Sequence, residues 1–194
     1  MFGLSRRILS LFFSAGFVVL VIIYIAFNRP SEEKVNNVRQ GSETEFITVK
    51  RVVDGDTFVL STGEKVRLLG IDTPEKYESK KLDRDVTSSG KDKKTIKKLG
   101  QLASEYVKNL VEGKKVRLEK EQNYDDKDKY GRLLRYIYLE DGTCVNAKII
   151  SDGYGQVYES FPISKTAEFR KLQREARENK RGLWGDIEGL EQFK

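Results

Sequence analysis

The chain has 194 residues, with 36 Lys and Arg against 30 Asp and Glu, a net charge of +6, a single Cys and no His. Without an imidazole, Ser-His-Asp and Cys-His nucleophilic chemistry is excluded, and the lone Cys144 can form neither an internal disulfide nor an ordinary zinc site. Carboxylates, hydroxyls, Lys and Arg are left to carry any chemistry, and the basic surplus fits a polyanionic partner.

Residues 1–7 carry Arg6 and Arg7 and read as a cytoplasmic N-terminus. Residues 8–27, ILSLFFSAGFVVLVIIYIAF, hold no charge. About 20 apolar residues match the length of one membrane-crossing helix, and the positive flank favours an orientation with the rest of the chain outside. The expectation is a membrane anchor; a cleaved signal peptide, which would release a secreted domain, has the same charge order. The apolar run is longer than a usual signal core, and no clear small-x-small site follows it. Residues 28–44 are polar and aperiodic and read as a flexible linker. The folded domain is expected over 45–185, with 186–194 as a C-terminal tail.

Within the domain the pattern is strand-rich at first. Phe46 to Val53 is β-branched and partly alternating, and Thr57 to Ser61 follows the acidic turn Asp54-Gly55-Asp56. After a Thr62-Gly63 turn comes Lys65 to Ile71, completing a three-strand meander. Ile96, Leu99, Ala103, Tyr106, Val107, Leu110 and Val111 then recur at helical spacing, with Gly113 as a stop. Two more strands, Lys115–Glu121 and Leu133–Leu139, precede helices near Cys144–Ser151 and Lys165–Asn179. Five strands with a helix between the third and fourth is the order of an OB-type barrel. The expected class is therefore α+β, a five-stranded OB-type β-barrel with three helices, preceded by one transmembrane helix.

Three clusters combine charge with turn chemistry: Asp54-Gly55-Asp56-Thr57, the run from Arg67 to Asp72-Thr73-Pro74-Glu75, and Asp128-Lys129-Tyr130-Gly131-Arg132. Taken singly, each has a plain structural reading, as a hairpin turn, a capped helix start and a solvated loop. Together, in this order and with these intervening strands, they resemble the staphylococcal-type thermonuclease family from about Val49 to Trp184. The closing Arg181-Gly182-Leu183-Trp184 is similar as well.

The resemblance implies a calcium-dependent hydrolysis of DNA or RNA phosphodiesters, with Asp56, Asp72 and the main-chain carbonyl of Thr73 holding Ca²⁺. Hard oxygen donors suit such an ion. It further implies Glu75 as general base or water-orienting group, and Arg67 and Arg132 as guanidinium grips on the phosphate. Asp54 is a candidate for supporting the metal ligands, or simply a turn residue. Tyr130 would line the nucleotide pocket. Tyr158 would flank the base, with Phe161 a competitor because the match there is one residue short.

Arg67 and Asp72 are five residues apart in an extended run, so alternation alone sends them to opposite faces; Gly70 offers the break that would reunite them. The segment 76–98 departs from the family by about a dozen extra residues. It holds nine Lys/Arg and four acidic residues. It reads as a solvated, partly disordered insertion, or as a contact to phosphates flanking the scissile bond. A monomer without a protein partner is expected. The alternative function is a catalytically silent, membrane-tethered OB-fold module that binds nucleic acid, and phosphodiester transfer on a small nucleotide also stays open.

Overall fold

The computed structural model describes residues 45–185. Strands β1 (Phe46–Asp54), β2 (Thr57–Leu60) and β3 (Lys65–Leu68) form the expected antiparallel meander. The β1–β2 hairpin closes at the Asp54–Thr57 pair, and the Asp56 N–H donates to Asp54 Oδ1 at 3.1 Å. At the β2–β3 turn Gly63 takes φ +90°, which a residue with a Cβ rarely adopts. A short β4 (Ile71–Asp72) follows, then α1 (Lys80–Ser89) and α2 (Lys93–Val111). The chain continues through β5 (Lys115–Glu119), β6 (Leu133–Leu139), α3 (Val145–Ser151), β7 (Gln156–Val157) and α4 (Thr166–Glu178). It closes in a 3₁₀ turn at Gly182–Trp184.

The five longer strands close into a barrel in the order β1-β2-β3-β6-β5, with β3 and β6 parallel and the other pairs antiparallel. A crossover is required to make β3 and β6 parallel neighbours, and α1 and α2 lie in it. Alternation fills the interior with Val49, Phe58, Leu60, Val66, Leu68, Val116 and Ile137, all essentially solvent-free, while Tyr136 on the opposite face of β6 is buried against Phe169 of α4. Helix α2 lays Val107 and Val111 against this core, as its spacing predicts.

Asn146 at the start of α3 is fully buried among apolar neighbours and fully used. Its Oδ1 accepts from the Ile137 N–H at 3.0 Å, and its Nδ2 donates to the carbonyls of Leu69 and Arg135 at 2.9 and 3.3 Å. It thereby fixes the exit of β3 against β6. Satisfying a buried amide this way avoids a penalty of about 1–3 kcal/mol for each orphaned group.

The structure corrects the sequence reading in two places. There are four helices rather than three, because residues 80–89 of the insertion are ordered as α1. The reason lies in its sequence: Ser79 caps α1 by accepting from the Leu82 N–H at 3.1 Å, and Gly90 ends it at φ +69°. Leu82 is completely buried in a small second core with Ile96 and Leu99, flanked by Val86 and Leu183. Burial of that one side chain contributes about 1.5–3 kcal/mol. The third strand also stops early, at Leu68, and resumes as β4, which pairs with β7 instead of staying in the barrel. The expected anchor at 8–27, the linker and the tail beyond residue 185 lie outside the described residues. Among the described residues, no helix is long and apolar enough to cross a membrane.

Candidate functional site

Barrel register builds the centre of the site. Thr57 on β2 is the cross-strand partner of Arg67 on β3, and Arg67 is paired in turn with Leu134 on β6, two residues beyond Arg132. Strand pairing therefore brings the Asp54–Thr57 turn, Arg67 and the 128–132 loop to one end of the barrel.

Gly70 resolves the question of Arg67 and Asp72. It takes φ +71°, breaks the strand, and lets Asp72 turn back so that its Oδ1 lies 3.4 Å from Arg67 Nη2. Arg67 Nη1 also makes a tight ion pair with Asp56. Asp56 is only 4% exposed, and its Oδ2 accepts from the Thr73 N–H and hydroxyl at 3.3 and 3.2 Å. Burial opposes the Asp56 charge, but Arg67 and then Lys81 outweigh it and hold the carboxyl at about 2. Asp54 moves the other way. Burial, and then the negative charge of Asp56, push it up to about 6.

Arg132 reaches the same cluster through one hydroxyl. Its Nη1 donates to Thr57 Oγ1 at 3.2 Å, and Thr57 Oγ1 donates to Asp56 Oδ1 at 3.0 Å. Asp128 orients the guanidinium, accepting from Nε and Nη2 at 2.7 Å each and from the Arg132 N–H at 3.0 Å. Tyr130 stands on the rim, 71% exposed, with its ring 5.5 Å from the Arg132 guanidinium. Tyr158 follows β7; its N–H donates to the Gly70 carbonyl at 2.9 Å and its ring lies 6.0 Å from that of Phe161, which is 56% exposed.

Glu75 is engaged by its own loop. Its Oε1 accepts from the N–H groups of Lys76 and Tyr77 at 2.9 and 3.1 Å, and its Oε2 accepts from the Ser79 hydroxyl at 3.3 Å. The same hydroxyl caps α1.

Three features of the site carried no clear signal in the sequence. Lys81, one of nine basic residues in the insertion, sends its ammonium among the expected metal ligands. It donates to the Thr73 carbonyl at 2.7 Å and lies 3.0 Å from Asp72 Oδ1 and 3.9 Å from Asp56 Oδ2. Gly55 is required by proximity rather than by φ, since a Cβ there would lie within 2.7–2.9 Å of the Thr73 side chain. Gly100 on α2 plays the same part beneath Pro74, Glu75 and Lys76.

Lys81 also shows that the donor set fits a cation. Two carboxylates and a carbonyl converge closely enough for a single positive group to touch two of them and approach the third. All are hard oxygen donors, which suit Ca²⁺ or Mg²⁺. Among the described residues no three acidic or thiol side chains gather into a metal cluster, so a divalent ion here would keep few protein ligands.

The profile of the family described as Staphylococcal nuclease homologue matches residues 65–186, a span holding Arg67, Asp72, Glu75, Lys81 and Arg132. The chain belongs to this family. It is 31% identical over 178 residues to Thermonuclease of Staphylococcus intermedius, covering 90% of this chain and 94% of that protein. It is 34% identical over 143 residues to an Uncharacterized endonuclease of Escherichia coli, covering 72% and 77%. It is also 31% identical over 151 residues to Endonuclease YhcR of Bacillus subtilis, spanning 73% of this chain but only 12% of that much longer protein. The Asp54–Thr57 turn lies outside the matched residues, and its contacts with Arg67 and Arg132 join it to them.

Proposed function

We propose that the chain is a nuclease that hydrolyses phosphodiester bonds of DNA, RNA or both, with Ca²⁺ as its cation. The observation that carries this reading is the convergence of Asp56, Asp72 and the Thr73 carbonyl beside Arg67, with Arg132 linked to them through Thr57. Relatives named as a thermonuclease and as endonucleases support it.

Asp56, Asp72 and the Thr73 carbonyl would hold the cation, which when bound supplies a Lewis-acid pull on a phosphate oxygen and a more acidic water. Arg67 and Arg132 offer paired N–H donors to the remaining phosphate oxygens. Their worth rises as negative charge builds toward the transition state, where one positioned donor accounts for roughly 3–4 kcal/mol in a comparable oxyanion site. The two acidic partners of Arg67 and the Asp128 carboxylate of Arg132 preset both guanidiniums, so little ordering remains to be done when substrate arrives. Glu75 takes the proton from the attacking water or aligns it, once its loop releases the carboxylate. Tyr130, exposed beside Arg132, offers a face on which any base stacks, and Tyr158 or Phe161 a second; such stacking gives weak sequence preference. Residues 8–27 would carry the domain on the outer side of a membrane, as their length and flanking charge suggest.

One observation favours the alternative of a silent binding module: Lys81 lies on the oxygens a cation needs. Incubation of the protein with single- and double-stranded DNA and RNA in Ca²⁺, Mg²⁺ or EDTA, beside Glu75→Gln, separates the two. Cleavage that EDTA abolishes and Glu75→Gln sharply reduces is expected. Binding without cleavage in any cation, or equal cleavage by wild type and variant, would defeat the nuclease assignment.

A further inference from the structure

We propose that Lys81 is a built-in exchangeable cation: its ammonium neutralises the Asp56–Asp72–Thr73 site, and a divalent ion enters only by expelling it, loosening α1. The inference rests on the proposed cation site but adds a competitor and a moving element to it.

Geometry makes the competition unavoidable. Calcium sits about 2.3–2.6 Å from its oxygen ligands. The Lys81 nitrogen is already 2.7 Å from the Thr73 carbonyl and 3.0 Å from Asp72 Oδ1. A divalent ion on the same two oxygens would stand beside the Lys81 ammonium and be repelled by it. Arg67 shares Asp56 Oδ2 and Asp72 Oδ1 with Lys81, but it is Lys81 that also takes the Thr73 carbonyl, the third expected ligand.

The competitor rides on an element able to yield. Helix α1 has ten residues and buries one side chain completely, Leu82, in the small core with Ile96 and Leu99. Its outer face is held to α2 by exposed ion pairs such as Lys93–Asp83, which are individually weak. One turn beyond Lys81, Asp85 has a buried carboxylate oxygen with no hydrogen-bond partner. The positive charge of Lys81 acts favourably on this carboxylate, so an unsatisfied group on α1 depends in part on Lys81 staying near. The first turn of α1 also controls Glu75, since Ser79 both caps the helix and donates to that carboxylate. Expelling Lys81 therefore disturbs the turn that engages Glu75. Arrival of the cation and release of the base become one event.

Population arithmetic sets the size. If the Lys81-out state is populated at about 1–10% without metal, apparent affinity is lowered about 10–100-fold. Isothermal titration of the full-length protein with Ca²⁺ alone, without nucleic acid, reads this directly for wild type, Lys81→Met and Asp56→Asn. Lys81→Met should bind Ca²⁺ at least about tenfold more tightly than wild type, and Asp56→Asn should lose binding. Hydrogen exchange on wild type supplies the second readout. Amides of residues 80–89 should exchange faster with Ca²⁺ than without it, opposite to the usual effect of a ligand, and Lys81→Met should abolish the difference.

Equal or weaker Ca²⁺ affinity in Lys81→Met would overturn the proposal. So would slower or unchanged exchange in α1 of the wild type on adding Ca²⁺. If Ca²⁺ binds none of the proteins, the cation site itself and this proposal both fail. If it binds wild type and Lys81→Met alike while the protein cleaves nucleic acid, only the exchange mechanism fails.

Discussion

Gly100 offers a test of the site that touches no charge. It lies inside α2, where replacing Gly by Ala ordinarily stabilises by about 0.5–1 kcal/mol through helix propensity. Here the added Cβ would lie 2.7 Å from the Pro74 oxygen, the Glu75 carbonyl carbon and the Lys76 nitrogen, about 0.7 Å inside ordinary contact. All three are backbone atoms, so no side chain can rotate aside, and overpacking of this kind costs about 1–3 kcal/mol. The clash outweighs the propensity gain, and Gly100→Ala should be net destabilised by about 1–2 kcal/mol, a fall in melting temperature of about 2–8 °C for a domain of this size. The segment that must move carries Glu75. A displacement approaching 1 Å at a catalytic group costs on the order of 10²-fold, so kcat/KM on nucleic acid in saturating Ca²⁺ should drop by roughly that factor. Thermal unfolding and steady-state cleavage measure both effects. A variant more stable than wild type, or one with activity within about twofold of it, would refute the argument that this glycine sets the position of Glu75.

Thr57→Val removes the hydroxyl that joins Arg132 to Asp56 while keeping the shape and the β-propensity of the strand. Hydrogen bonds to charged groups are worth about 1.5–3 kcal/mol, so the melting temperature should fall and kcat/KM per folded molecule should drop about tenfold or more; wild-type kinetics would show that the bridge has no catalytic consequence. Asp152 accepts from Lys148 Nζ at 2.8 Å and from the Tyr106 hydroxyl. Burial works against its charge, but these partners prevail and hold its carboxyl below the usual range. A carboxylate depressed in the folded state stabilises above its unfolded value of about 3.9 and loses that contribution as pH falls through the folded value. Asp152→Asn should therefore be less stable than wild type at pH 7, and urea titrations should show the gap narrowing below about pH 4. A gap independent of pH would count against the assignment.

Much of the barrel was legible in the sequence because its strands are short, β-branched and separated by Asp-Gly and Thr-Gly turns, and because α2 repeats apolar residues every three or four positions. Those signals are local, and local chemistry is what a sequence displays directly. The candidate residues Asp56, Arg67, Asp72, Glu75 and Arg132 were legible for a different reason, as three clusters whose order resembles one family.

What brings them together is not local. Arg67 meets Asp72 because Gly70 breaks the strand, and Arg132 meets Asp56 because parallel pairing of β3 and β6 sets the register that carries one loop to the other. The composition of α1, nine basic and four acidic residues across its segment, reads as a partly disordered insertion and masks a single decisive residue: Leu82 gains its burial from Ile96 and Leu99 on the next helix and from Leu183 near the end of the domain, as well as from its neighbour Val86. Lys81 was lost among equivalent lysines for the same reason. Sequence determines that a lysine is present, but only the folded arrangement of three oxygens decides which lysine neutralises them, because electrostatic attraction depends on distance in space and not on position in the chain.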